Sequence, residues 1–349
     1  MSGVFLGWDI GGAHLKVAKI DQAGSLVAVR QIACPLWRGV NELSRAMALI
    51  DFAIDEPDAV HAVTMTGELC DIFPDRISGV REIINQFQLK IGGTSNVRVF
   101  AGYEGWVDAA AAAANAAAAV ASANWLALAA FTAETIGDGV LIDIGSTTTD
   151  IVPIIGGEVQ AHGRDDGSRM AAGELLYTGV VRTPVNTVCQ QVPFRGRWQP
   201  LAAETFATMA DVYRLLGRIG ESDDLMPSAD GRSKDLAGSA FRLARMLGHD
   251  QGDEEMGEIV RVARFLAQSQ RARLEQSLDL VLSREPFERH GDTLIGAGVG
   301  RFLIADIAQE RNCTYRSFDA LIDSPSESAA AASVAAPAVA AAKLAWMTA

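Results

Sequence analysis

Asp9 and Asp143 sit in two versions of one segment. The first reads Gly7-Trp8-Asp9-Ile10-Gly11-Gly12-Ala13-His14-Leu15-Lys16, and the second Leu141-Ile142-Asp143-Ile144-Gly145-Ser146-Thr147-Thr148-Thr149-Asp150. Each is an apolar strand ending in Asp-Ile-Gly, then a small-residue turn, then a second strand. An aspartate at a strand end projects its carboxylate from the rim of a sheet. The glycine after it lets backbone N–H groups approach an anion closely. One Asp-Gly turn is an ordinary turn former; two at matching strand ends point to two half-sites facing each other across a cleft. The ligand such half-sites suit carries phosphate groups and a magnesium ion.

These turns must be carried by a scaffold, and 349 residues suffice for two domains with full cores. Apolar residues at 49% and charged ones at 21% mark an ordinary globular chain. A net charge of -13 argues against nucleic acid or an anionic membrane as the main partner, since both need basic patches. The four cysteines, Cys34, Cys70, Cys189 and Cys313, lie far apart without metal-like spacing. They read as reduced thiols of a cytoplasmic protein. The chain enters a strand without a basic leading region, so no signal peptide is expected. Ala109–Ala133 carries no charge and is long enough to span a bilayer, but it is mostly alanine and holds Asn115, Ser122 and Asn124. One buried helix with close backbone packing is expected there. The Ala329–Ala342 run is expected to do the same, with Pro337 as a kink.

Along the chain, strands are expected at Val4–Ile10, Leu15–Asp21, Leu26–Ile32, Ala59–Met65 and Val97–Phe100. Helices are expected at Gly39–Ile54 and Val80–Leu89 and in the alanine run. The order is βββαβαβα. It recurs with strands at Val140–Ile144, Thr148–Ile155, Glu158–His162, Thr293–Ile295 and Thr314–Phe318 and helices at Gly300–Glu310 and the C-terminus. Gly156-Gly157 makes the hairpin turn. Between the third and fourth strands of this second set lies a helical insert, about residues 203–283, with helices at Phe206–Leu216, Leu236–Leu247 and Glu254–Leu282. Duplication of a whole domain is the economical explanation. It gives an α/β chain with a first domain at 1–135 and a second at 136–349.

This order and these motifs resemble the actin-like ATPase superfamily, whose domains are duplicated and RNase H-like. The Asp9 segment is similar to its first phosphate motif and the Asp143 segment to its second. Asp292-Thr293-Leu294-Ile295-Gly296-Ala297-Gly298-Val299-Gly300 is similar to its adenosine motif. Thr66-Gly67-Glu68-Leu69-Cys70-Asp71 and Tyr177-Thr178-Gly179-Val180-Val181-Arg182-Thr183-Pro184 resemble the hydantoinase A/oxoprolinase family. Within it, Gly11–Lys16, the short length and Ala210-Asp211-Val212-Tyr213-Arg214-Leu215-Leu216-Gly217 resemble the branch linked to tetrahydromethanopterin-dependent C1 transfer in methylotrophic bacteria. The archaeal counterpart makes methanofuran by joining an aminomethylfuran diphosphate to a phenol oxygen, with release of pyrophosphate.

The resemblance implies a transferase with a small-molecule diphosphate donor and a phenolic, tyrosine- or tyramine-type acceptor, the bacterial cofactor being a methylofuran. It implies that diphosphate oxygens are cradled by Gly11, Gly12, Ala13 and His14 and by Gly145, Ser146, Thr147 and Thr148. Magnesium would be held through water by Asp9, Asp143 or Asp150. Lys16 would pair with a phosphate. A base for the phenol proton would come from Glu68, Asp71, Asp165 or Asp166, and Arg182 would clamp a phosphate or carboxylate. Gly296, Ala297 and Gly298 would line a nucleotide-like or substrate pocket. Plain alternatives stand beside these roles: Lys16 as a strand-edge lysine, His14 facing solvent, Arg182 in a salt bridge behind the sheet, the loop acids merely solvated. Alternation along Ser146–Thr149 would expose two of its four hydroxyls. A second reading is an ATP-dependent kinase or hydrolase using the same cleft, and a third is a nucleotide-switch or scaffold protein. ATP use and self-association stay open at this level.

Overall fold

Strand and helix boundaries follow where apolar runs stop and capping residues begin. The computed structural model describes residues 3–52, 54, 59–92, 96–250, 255–285, 287, 292–324 and 326–349, without the side chains of 326 and 327. The first half runs β1 (Phe5–Ile10), β2 (His14–Ile20), β3 (Leu26–Ala33), α1 (Asn41–Met47), β4 (Val60–Met65), α2 (Arg76–Ile91), β5 (Asn96–Phe100), β6 (Trp106–Asp108), α3 (Ala109–Ala114), α4 (Ala117–Val120) and α5 (Asn124–Ile136). The second runs β7 (Gly139–Ile144), β8 (Thr149–Ile155), β9 (Glu158–Val159), α6 (Asp166–Ala171), β10 (Leu175–Leu176), α7 (Val185–Val188), β11 (Gln191–Phe194) and β12 (Arg197–Pro200). It continues through α8 (Met209–Leu215), α9 (Leu236–Met246), α10 (Met256–Leu282), β13 (Thr293–Ala297), α11 (Arg301–Arg311), β14 (Thr314–Ser317), α12 (Ser326–Val334) and α13 (Ala336–Met347).

One sheet has the order β3-β2-β1-β4-β5-β6; the other is β10-β8-β7-β13-β14, with β9 also paired to β8. From the third strand of each half to the fifth, the order is the same. The duplicated α/β architecture is therefore present, as the strand order in the sequence implies. Strand β1 pairs antiparallel with β2 and parallel with β4, and all six of its residues are buried. A strand covered on both faces is expected to read as an apolar run.

The chain divides into two compact units. The first comprises Met1–Leu141, Ile154–Gln160 and Arg316–Ala349; the second comprises Ile142–Pro153 and Ala161–Tyr315. A division at residues 135 and 136 therefore misplaces the C-terminal segment. The cause is packing: α13 lies against β1, β2, β4 and α5 of the first unit. Its small side chains permit that closeness. A Cβ built on Gly7 would fall 1.9 Å from the Ala338 carbonyl oxygen and 2.6 Å from the Ala342 amide nitrogen.

Both alanine-rich runs break where one helix was expected. The first forms α3, α4 and α5, with Asn115 ending α3 and Ser122 adopting the left-handed region at φ 53 before α5. The second splits at Ala335, where Ser328–Val334 and Ala336–Met347 meet at 96°, and Pro337 occupies the first turn of α13. Proline is tolerated there because the first-turn N–H groups have no helical acceptor. Among the described residues, no single helix is long and apolar enough to cross a membrane.

Other boundaries differ modestly. The Gly39–Ile54 helix is only Asn41–Met47, with part of its expected extent outside the described residues; Glu254 also lies outside them. The Glu158–His162 strand is two residues long. The short strands β6 and β10 and the β11–β12 hairpin lack a strong local signal. That hairpin turns through Arg195 and Gly196, both at positive φ, and arginine is an unusual occupant there.

Candidate phosphate-binding turns and the residues that hold them

In the first unit, the turn after β1 closes by a hydrogen bond from the Gly11 amide to the His14 carbonyl oxygen at 2.9 Å. The Leu36 amide donates to Gly12 O at 3.0 Å and the Cys34 amide to Ala13 O at 2.8 Å, which ties the following loop to the turn. A Cβ on Gly12 would lie 3.0 Å from Cys70 Sγ. Thus the Thr66–Asp71 motif and the first turn do meet.

Asp9 faces Lys16 across the β1–β2 register, and Lys16 Nζ lies 3.5 Å from Asp9 Oδ2. Asn124 Nδ2, at the start of α5, donates to Asp9 Oδ1 at 3.4 Å. Burial pushes the Asp9 carboxyl above the ordinary carboxylate range, with Lys16 and Asn124 pulling the other way. Lys16 is not an edge lysine, because β2 lies between β1 and β3. His14 does not face solvent; it is buried.

Asp71 is exposed, whereas Glu68 is buried and its Oε1 accepts from Ser122 Oγ at 2.8 Å. Burial raises the Glu68 carboxyl as well. Sequence reasoning missed Ser122 and Asn124 as site-forming residues. Their signal was available: polar residues in an alanine run, just where that run breaks.

The second unit repeats the first turn's closure. Gly145 N donates to Thr148 O at 2.9 Å, the counterpart of the Gly11–His14 bond. The Tyr177–Pro184 motif brackets this turn. Val180 N donates to Gly145 O at 3.1 Å, and the amides of Val181 and Arg182 donate to Ser146 O at 3.2 and 2.8 Å. The exposed Arg182 side chain reaches Thr147 Oγ1 at 3.5 Å. Ser146, Thr147 and Thr148 are half-buried, while Thr149 is buried with its hydroxyl on Thr178 O at 2.6 Å. The four do not alternate, because the first three belong to the turn and only Thr149 to β8.

Asp143 is half-buried near the end of β7. Gly298, at φ +79, packs so closely that a Cβ there would be 2.3 Å from Asp143 Oδ1. Gly300 N donates to Ile144 O at 2.9 Å, joining the Gly296–Gly300 turn to the same strand end. Ala297 is buried in β13, and Gly296 faces the Tyr315 ring. Asp150 is engaged differently: Oδ1 pairs with the buried Arg169 at 2.8 Å. Its carboxylate is thus held by a guanidinium, which weakens its claim as a metal ligand. Asp165 caps α6 by accepting from the Ser168 amide at 2.9 Å.

Among the described residues, no three His, Cys, Asp or Glu side chains gather to hold a metal ion. A magnesium carried by a diphosphate needs no such cage, since phosphate oxygens and water supply most of its shell.

The chain is similar to known proteins in sequence and in fold. A family profile described as hydantoinase/oxoprolinase matches residues 59–347. A protein of Methanocaldococcus jannaschii named (4-{4-[2-(gamma-L-glutamylamino)ethyl]phenoxymethyl}furan-2-yl)methanamine synthase is 32% identical over 310 residues, covering 88% of this chain and 90% of its own. A protein of the same name from Methanococcus vannielii is 29% identical over 178 residues, covering 49% of this chain and 75% of its own. In fold, the chain is similar to nucleotide-free acetone carboxylase, with a TM-score of 0.54 at 12% identity, over 89% of this chain and 67% of that one.

Proposed function

We propose that this chain, which belongs to the hydantoinase/oxoprolinase family, is an enzyme of cofactor biosynthesis that joins an aminomethylfuran diphosphate to the phenol oxygen of a tyrosine- or tyramine-type acceptor. The observation that carries this reading is the near full-length similarity to the M. jannaschii synthase, whose name describes a phenoxymethyl-linked furan methanamine. In the reaction, the bond between the furfuryl carbon and the diphosphate oxygen breaks and its electron pair leaves with pyrophosphate. The phenol oxygen forms the new bond to that carbon, and its proton passes to a base.

Electron donation by the furan ring lets positive charge build on the furfuryl carbon. Catalysis therefore rests on stabilising the departing diphosphate more in the transition state than before it. In this reading the amides of Gly12–Ala13 and Ser146–Thr147 take phosphate oxygens, since those of Gly11 and Gly145 are spent closing their turns. Arg182 and the hydroxyls of Thr147 and Thr148 add donors, and Lys16 adds a positive charge. Asp143 would hold a magnesium ion, which would supply positive charge to offset that of the diphosphate. The phenol proton is assigned to Asp71, exposed and adjacent to Cys70 beside the first turn; Glu68 is closed off by burial and Ser122.

The test is mass spectrometry of a reaction containing both substrates and magnesium, beside an ATP control. An ether-linked product and pyrophosphate without ATP are expected. ADP formed in dependence on the phenol, with no ether, would replace this reading with an ATP-dependent kinase or hydrolase.

A further inference from the structure

The Ala210–Gly217 motif has no place in the chemistry above, yet it is wired to the second turn. Tyr213 of α8 is buried, and its hydroxyl donates to Gln270 Oε1 of α10 at 2.6 Å. Gln270 is wholly buried. Its Nε2 donates to Thr178 Oγ1 at 2.7 Å and to Gly179 O at 2.9 Å. Thr178 O in turn accepts from Thr149 Oγ1. The Gly179 amide donates to Thr183 Oγ1 at 2.8 Å. Gly179 is pressed on the turn itself: a Cβ there would lie 2.5 Å from both Ser146 C and Thr147 N. The start of α8 grips the same segment from the other side, with Met209 N on Thr183 O at 2.8 Å and Ala210 N on Val181 O at 3.2 Å.

We infer that Gln270 is a positioning residue for the Gly145–Thr148 turn, acting with Tyr213 through Thr178 and Gly179 to hold that turn in its anion-binding shape. A buried primary amide is costly unless its donors and acceptor are used. Here both donors and the oxygen are used, and the acceptors lie on the one segment that brackets the turn. The network is a chain of bonds in a water-excluded interior, where each restrains the next. The shape of the turn matters because its amides must point at one place before charge develops there. The assignment of diphosphate to this turn rests on the proposed function; the restraint on its backbone does not.

The experiment pairs Gln270→Met with Tyr213→Phe in the full chain and reads two quantities. One is hydrogen–deuterium exchange of peptides covering residues 144–150 and 177–184. The other is calorimetric affinity for magnesium pyrophosphate, at a temperature where each variant is folded by circular dichroism. Gln270→Met is expected to speed exchange in both peptides and to weaken pyrophosphate binding by about tenfold, the change that one lost buried hydrogen bond corresponds to. Tyr213→Phe keeps the amide donors, so a smaller shift in the same two peptides is expected. It carries the test if Gln270→Met does not fold. Exchange that rises evenly through the unit, or only in α8 and α10, with affinity unchanged, would overturn the inference and leave Gln270 a plain core residue. Wild-type protein that binds no pyrophosphate would overturn the diphosphate reading, while the exchange data would still decide the positioning.

Discussion

Gly145 and Gly298 show how a glycine demanded by the fold differs from one left open. A Cβ at Gly298 would strike Asp143, but one at Gly145 would meet only Thr148 O at 3.5 Å, an ordinary contact. Gly145→Ala is therefore expected to change stability by less than about 1 kcal/mol while weakening magnesium pyrophosphate binding, as read by urea denaturation and calorimetry. Unaltered affinity would remove the turn from the binding site. Asp143→Asn removes charge with little change of volume. It is expected to leave the circular dichroism spectrum intact and to cut turnover by about two orders of magnitude or more; near-normal turnover at saturating magnesium would sink the assignment. His61 makes a different prediction. Its Nδ1 accepts from Trp8 Nε1 at 3.2 Å, and burial pushes it down to about 4. Between that value and the ordinary 6.5 the unfolded chain binds the extra proton and the folded chain does not. Stability contributed by neutral His61 is thus full above pH 6.5, lost as pH falls toward 4, and levels off below. The loss is about 3 kcal/mol, at about 1.4 kcal/mol per pH unit. His61→Gln keeps an acceptor for Trp8 and should flatten that slope in acid titrations of stability; an unchanged slope would assign it elsewhere.

At the level of elements, the central contact of the first unit is a glycine on β1 against alanines on α13. Gly7→Ala would force a methyl onto the Ala338 carbonyl, and overpacking of this kind against backbone should cost about 3 kcal/mol or more. Thermal and urea denaturation would show it directly, and a wild-type melting temperature would contradict the packing. The same contact explains why a run of alanines, poor in hydrophobic area, ends the chain as a buried helix: closeness to β1 replaces side-chain bulk. Periodicity made the strands and α2 readable beforehand. It could not show where the alanine runs break, because alanine favours helix at every position and marks no end. Ser122 and Asn124 make that break useful, one holding Glu68 and the other Asp9.

For the molecule as a whole, duplication is the governing fact. Each unit has one Asp-Ile-Gly turn closed by the same 2.9 Å bond, and five strands follow the same order in both sheets, β3-β2-β1-β4-β5 in one and β9-β8-β7-β13-β14 in the other. A ligand that binds these turns only in the folded chain must stabilise it by mass action, by about 2.7 kcal/mol at a hundred times its dissociation constant. Scanning calorimetry with magnesium pyrophosphate should therefore raise the unfolding temperature in a concentration-dependent way. A midpoint indifferent to pyrophosphate would count against both turns as phosphate sites.

The amino-acid order by itself determined the repeated strand–turn–strand segments, the βββαβαβα order and the family resemblance. These depend on local alternation, turn residues and a carboxylate at a strand end, all of which are written over a few consecutive positions. Only the tertiary structure decided that two of the strand-end carboxylates are held in ion pairs. Arg169 takes Asp150 and Lys16 takes Asp9, pairings set by how strands and helices pack. It also decided that α13 returns to the first unit and that Gln270, an unremarkable glutamine in a long helix, supports a turn over 120 residues earlier in the chain. Such contacts join residues distant in sequence, and no local pattern of residue types records which distant partner a buried polar group will find.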